Sequence, residues 1–182
     1  MSWKFFKATL QDLRVGAITE TSKYTIGKIL SFIKPTYKYI VEYGAGCGTV
    51  TREILKRLPA DGKVIAIEIN NDFYKELLKI KDSRLIVIKG DIMSLLTKLT
   101  DLGLPEIHMV ISNIPFTFLD LDSKNKIIES TFKALNNNGR FVVFQYSTLV
   151  KRIMETYFGK ISLLVEFRNF PPYFIMAGEK LA

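Results

Sequence analysis

Three acids and an asparagine stand where this chain could do chemistry. Glu42 follows the apolar run Tyr39-Ile40-Val41. Glu68 ends a second run, Lys63-Val64-Ile65-Ala66-Ile67, and Asp91 stands just past a third, Leu85-Ile86-Val87-Ile88. Asn113 follows a fourth, over 107–111. A carboxylate can accept two hydrogen bonds from a ribose cis-diol, and its charge strengthens them. An asparagine carbonyl can accept the hydrogens of an amine and so aim the nitrogen lone pair. Between Glu42 and Glu68 lies Gly44-Ala45-Gly46-Cys47-Gly48, where glycines let the backbone bend sharply and let a ligand approach without meeting a Cβ. Glu68 lies about 20 residues beyond this turn, where open α/β sheets set an acid against ribose hydroxyls.

The elements that must position these residues follow from hydrophobic periodicity. Strands are expected near 38–43, 63–68, 84–89, 107–112 and 139–146. Helices are expected near 21–34, 49–58, 71–80, 92–99, 123–136 and 147–158. Pro35 stops the first helix, and Pro59, Asp61-Gly62 and Asn136-Asn137-Asn138-Gly139 punctuate the crossovers. Such alternation predicts an α/β fold with a mostly parallel sheet covered by helices on both faces. The last two runs, 161–167 and 173–178, are joined by a link too short for a crossover helix. They must be antiparallel.

Length and composition set bounds. The 182 residues suffice for one domain with a sizeable core. The one cysteine, Cys47, allows no disulfide within the chain and fits a reducing cytoplasm. The one histidine, His108, reads as a core or edge residue, and with no Cys/His cluster no metal site is expected. No apolar run reaches a membrane span, and charges interrupt the N-terminus too often for a signal peptide. A net charge of +8 favours polyanions, either nucleic acid or an anionic membrane surface. Over 2–14, Trp3, Phe6, Leu10 and Leu13 share one helical face, with Lys4, Lys7 and Arg14 off it. Such a helix can lie in a bilayer interface or pack as a lid. Two units are therefore expected: an N-terminal amphipathic helix within 1–20 and the main domain over 21–182.

The pattern Glu42-x-Gly44-x-Gly46-x-Gly48 resembles motif I of class I S-adenosylmethionine methyltransferases, not the wider Gly spacing of dinucleotide folds. The resemblance implies a Rossmann-like, seven-stranded sheet with an antiparallel last strand. It implies S-adenosylmethionine as cofactor, held by Glu42, Gly44, Ala45, Gly46, Gly48, Glu68, Ile69, Asp91, Ile92 and Asn113, with Asp91 meeting the adenine amino group. Asn113-Ile114-Pro115-Phe116 resembles motif IV of amino methyltransferases, as in adenine-N6 enzymes. That implies catalytic roles for Asn113, Pro115 and Phe116: Asn113 to accept amine hydrogens, Pro115 to fix the backbone, Phe116 to stack on a base or an ammonium. Tyr146 is expected to face the amine as well.

Two families divide the acceptor question. Ribosomal-RNA adenine dimethyltransferases share the glycine turn, the Glu68 and Asp91 positions and the 113–116 loop. They normally add a C-terminal helical domain, for which this chain leaves no room. Bacterial phosphatidylethanolamine N-methyltransferases resemble more of the chain, through Gly16-Ala17-Ile18, Phe144-Gln145-Tyr146-Ser147 and Asn169-Phe170-Pro171-Pro172. Their usual Ser-Gly-Leu-Pro stands here as Ser112-Asn113-Ile114-Pro115, and their Pro-Ser-Ser step as Thr21-Ser22. The expected activity is methylation of a phosphatidylethanolamine-type amine by a cytoplasmic enzyme, peripheral at the inner membrane surface. The alternatives are adenine-N6 methylation of ribosomal RNA and a non-catalytic binding module.

Overall fold

The computed structural model describes residues 21–181 apart from 102, 169 and 170. The expected helix over 2–14, the whole 1–20 segment and the Asn169-Phe170 step lie outside the described residues. From Lys23 the chain alternates as its apolar runs predict. The elements are α1 (Lys23–Leu30), β1 (Tyr39–Tyr43), α2 (Thr49–Leu55), β2 (Lys63–Glu68), α3 (Asn71–Leu77), β3 (Leu85–Lys89), α4 (Ile92–Leu95), β4 (Met109–Ser112), α5 (Leu121–Ala134), β5 (Arg140–Gln145), α6 (Lys151–Phe158), β6 (Ile161–Glu166) and β7 (Tyr173–Glu179). Two 3-10 turns, Leu96–Asp101 and Phe116–Phe118, follow α4 and β4.

The described residues form a seven-stranded sheet in the order β3-β2-β1-β4-β5-β7-β6. Strands β1 to β5 are parallel, and β7 runs antiparallel to both β5 and β6. The strands are apolar on both faces, as a covered parallel sheet requires. Val41, Tyr43, Ile65, Ile67, Val110, Phe141 and Val143 pack with Ile127 and Ile128 of α5 and Met154 and Phe158 of α6. Their neighbours Ile40, Val64, Met109, Ile111, Val142 and Phe144 pack with Ile26 and Ile29 of α1 and Val50 and Ile54 of α2.

Several helices are shorter than periodicity suggests. At the start of α1, Ser22 Oγ accepts the Thr25 N–H, and past Leu30 the chain turns toward Pro35. Helix α4 ends at Leu95 and tightens into 3-10 geometry instead of running to 99. Helix α6 begins at Lys151, not 147, because Ser147 is engaged elsewhere: its Oγ accepts the Leu149 N–H and its carbonyl accepts from Gln145. His108 is buried at the amino-terminal end of the central strand β4, its Nδ1 accepting the Tyr39 N–H at 3.3 Å.

Candidate active site

In an open α/β sheet the ligand crevice lies beyond the carboxyl ends of the strands, where strand order reverses. Here that point falls between β1 and β4, which carry the glycine turn and the Asn113 loop. The Gly44 and Ala45 N–H groups both reach the Ile67 carbonyl, at 2.9 and 3.2 Å, so β2 carries the turn. Beyond them, the Gly46 N–H donates to Glu68 Oε2 and the Asn70 N–H to Glu68 Oε1, both at 2.8 Å. Glu68 is buried, which raises its pKa, while these backbone donors oppose the rise.

Two glycines of the turn serve different ends. A Cβ at Gly46 (φ +57°) would meet nothing within 4 Å, so its face is open to a ligand. A Cβ at Gly48 (φ +85°) would lie 2.7 Å from Ile80 Cδ1 and 2.9 Å from Leu77 Cδ2. Gly48 therefore lets α2 and α3 pack closely.

Glu42 is buried beneath the turn, only 2 % exposed, and accepts the Thr51 hydroxyl of α2 at 2.5 Å. Burial pushes its carboxyl up to about 8, the Thr51 hydroxyl works against this, and nearby Glu68 adds to it. Its visible work is to tie β1 to α2. Asp91 caps α4, its Oδ1 accepting the Met93 N–H at 2.9 Å, and is partly exposed. Ile69 is half-buried beside Asn70 and Lys89 at the mouth past β2. Ala45 and Ile92 are buried.

The fourth-strand loop is fastened to the glycine turn. The Asn113 N–H donates to the Tyr43 carbonyl at 3.0 Å, and a Cβ at Gly44 would lie 3.7 Å from the Asn113 carbonyl carbon. The Ile114 N–H reaches Ser112 Oγ at 3.3 Å, and the Ile114 carbonyl accepts the Phe116 N–H at 2.9 Å. Pro115 holds φ −76° at the head of the 3-10 turn. The Asn113 side chain is half-buried and forms no hydrogen bond among the described residues. Phe116 corrects an expectation: its ring is fully buried in the core against the α5 face, so it offers no surface for stacking. The exposed ring of this turn is Phe118, 51 % accessible.

Tyr146 stands at the next strand end, 43 % exposed, with its ring centroid 4.2 Å from that of buried Tyr173 on β7. Burial, with Tyr146 beside it, holds the Tyr173 hydroxyl well above its usual range. Gln145 was not among the expected site residues. It ends β5, is 5 % exposed, and links the Phe116 N–H to the Ser147 carbonyl. The sequence signals for it are its place in the Phe144–Ser147 stretch and a polar residue closing an apolar run.

The sheet order, the antiparallel β7, the glycine turn at the switch point and an acid at the end of β2 define a class I methyltransferase. The open face of Gly46 and the acids at the ends of β2 and β3 fit S-adenosylmethionine, its cofactor. The chain belongs to the ribosomal RNA adenine dimethylase family, whose model matches residues 16–167. It is an S-adenosylmethionine-dependent N-methyltransferase. An ornithine lipid N-methyltransferase of Singulisphaera acidiphila is 26% identical over 138 residues, covering 74% of this chain and 72% of that protein. A ubiquinone/menaquinone biosynthesis C-methyltransferase of Vibrio vulnificus is 26% identical over 109 residues, 59% of this chain and 41% of that protein. The solved structure of 1,6-didemethyltoxoflavin-N1-methyltransferase from Burkholderia thailandensis superposes with a TM-score of 0.71 at 13% identity, over 98% of this chain and 87% of that one. Among the described residues there is no cluster of His, Cys, Asp or Glu that could hold a metal, and no helix long and apolar enough to cross a membrane.

Proposed function

We propose that this enzyme methylates the primary amine of a phosphatidylethanolamine-type phospholipid at an anionic membrane surface. The observation that carries the reading is a set of exposed apolar side chains on the turns beyond β4 and β5 and at the head of α5. Phe118, Leu121, Tyr146 and Leu149 are 51, 65, 43 and 65 % accessible. A water-soluble acceptor gives no reason to leave so much apolar surface around the Asn113 loop, whereas a lipid does. The net charge of +8 and the similarity to a lipid N-methyltransferase support the same reading. Under it the protein works at the cytoplasmic face of the inner membrane as a peripheral enzyme.

S-adenosylmethionine supplies a methyl group already activated on a sulfonium. The protein's task is then to hold and align, which can supply much of the rate. Gly44, Gly46, Glu68, Ile69, Asp91 and Ile92 would hold the cofactor, with Glu68 and Asp91 offering acceptor oxygens. Asn113 would accept the amine hydrogens through its side-chain carbonyl, and the Ile114 carbonyl has one lone pair left beside its bond from Phe116. Tyr146 would present its ring to the ammonium that forms.

The second reading, adenine-N6 methylation of ribosomal RNA, is favoured by the family to which the chain belongs. One assay separates them. The enzyme is given radiolabelled S-adenosylmethionine with anionic vesicles containing phosphatidylethanolamine, or with unmodified ribosomal RNA, beside Asn113→Ala and Asp91→Ala controls. Label in the lipid, absent from the controls, supports the first reading. Label in RNA alone overturns it in favour of the second. Label in neither, with cofactor still bound, overturns both and leaves another amine as the target.

A further inference from the structure

We infer that Gln145 is a positioning residue for the methyl acceptor, bracing the Asn113 loop and the Tyr146 turn into one wall. The inference rests on the reading above, that these two turns face the acceptor. The β4–β5 ladder ends at Ser112↔Val143. Past that register no strand pairing joins the two segments that carry Asn113 and Tyr146. The Gln145 side chain spans the gap. Its Oε1 accepts the Phe116 N–H at 3.1 Å, and its Nε2 donates to the Ser147 carbonyl at 2.8 Å.

The two partners fix which way the amide points, because one offers a hydrogen and the other needs one. Each partner belongs to a turn already tied on its far side. The Phe116 N–H is shared with the Ile114 carbonyl, and Ser147 Oγ accepts the Leu149 N–H at 3.2 Å. Gln145 is nearly inaccessible, so water cannot replace either bond cheaply. Tyr146, between Gln145 and Ser147, leans on Tyr173 and thereby takes its place relative to Asn113. A displacement of about 1 Å between groups that align reactants can cost a large part of the rate.

Two substitutions test this. Gln145→Met keeps the volume and loses both bonds. Gln145→Glu keeps the acceptor toward Phe116 but, when ionised, sets a negative oxygen against the Ser147 carbonyl. Protonated, the same carboxyl accepts from one partner and donates to the other, as the amide does. The acceptor is whichever of phosphatidylethanolamine vesicles or ribosomal RNA the wild-type enzyme labels. Gln145→Met is expected to raise the acceptor KM about tenfold and leave the S-adenosylmethionine Kd within about twofold. The KM of Gln145→Glu, taken as a ratio to wild type at each pH, should fall toward one as pH drops from 8 to 5.5. An unchanged acceptor KM in Gln145→Met, or a Glu ratio that stays well above one at every pH, overturns the inference. So does a rise in cofactor Kd matching the rise in KM, since that marks general loosening of the fold.

If the wild type labels neither acceptor, the functional reading fails and backbone amide exchange decides the bracing. Faster exchange at both Phe116 and Leu149 in Gln145→Met, with Asn113 still protected, upholds it. A change at one of the two alone, or at neither, overturns it.

Discussion

The Gly46 N–H donates to Glu68 across the mouth of the crevice, 2.8 Å from N to Oε2, while the other oxygen of the same carboxylate takes the Asn70 N–H. One side chain at the end of β2 thus sets the curvature of the glycine turn and the start of α3 together. A ligand that needs Glu68 finds it already aimed. Glu68→Gln keeps one acceptor oxygen, and Glu68→Ala leaves both N–H groups without it. Hydrogen bonds to a charged group contribute about 1.5–3 kcal/mol each. Calorimetric titration should show S-adenosylmethionine binding weakened about tenfold in Glu68→Gln and about a hundredfold in Glu68→Ala.

The glycines of the turn separate binding from folding. Gly48→Ala drives a Cβ into Leu77 and Ile80 and should cost about 2–4 kcal/mol in urea unfolding, from overpacking and left-handed strain together. Gly46→Ala meets no neighbour and should cost only the strain, about 1 kcal/mol. Its Cβ projects into the space where the cofactor is expected. Cofactor affinity should therefore fall at least tenfold in Gly46→Ala, beyond its effect on stability.

Phe116 and Phe118 are two residues apart and should behave oppositely. Phe116→Ala empties a fully buried site and should destabilise by about 3–5 kcal/mol. Phe118→Ala removes a half-exposed ring, so it should destabilise much less than Phe116→Ala and raise the acceptor KM several-fold. A vesicle-binding assay on Phe118→Ala separates loss of surface contact from loss of alignment.

Glu42 makes stability depend on pH. Folded, its carboxyl is pushed up to about 8 by burial, with the Thr51 hydroxyl opposing and Glu68 adding to the rise, against an ordinary value of 4.5. Between these values the unfolded chain has released a proton that the folded chain still holds. Stability from this group is therefore fully present below about pH 4.5, is lost as pH rises toward 8, and is level above it. Glu42→Gln keeps an acceptor for Thr51 and removes the titration. The variant should gain on wild type by a few kcal/mol between pH 5.5 and 8.5 in denaturant unfolding, with cofactor binding followed in parallel.

Strand positions and sheet direction were legible because burial on both faces forces long apolar runs, and the link before Tyr173 was too short to cross over. Helix ends were less so. Apolar periodicity does not distinguish 147–150 from a first helical turn; the side-chain bonds of Gln145 to the Ser147 carbonyl and of Leu149 N–H to Ser147 Oγ decide it. The glycine turn announced itself, but its division of labour did not. Gly48 answers to Leu77 and Ile80, roughly thirty residues away. Phe116 and Phe118 share one turn, and only packing against α5 tells which ring is inside. The bracing role of Gln145 was not legible, because its partner Phe116 lies on a loop 29 residues away whose path sequence periodicity does not report.

Strand β6 pairs with β7 and with no other strand of the described sheet, and β7 also covers the far edge of β5. A polypeptide emerging from the ribosome therefore carries β1 to β5 as a contiguous parallel layer before its outer margin can close. Until Tyr173–Glu179 is made, β5 exposes a bare edge and β6 has nothing to dock on, which is the condition that invites mispairing. The same late segment brings Tyr173 beneath Tyr146. Assembly of the acceptor wall and closure of the sheet are thus one event, and a nascent chain cannot acquire the first without completing the second.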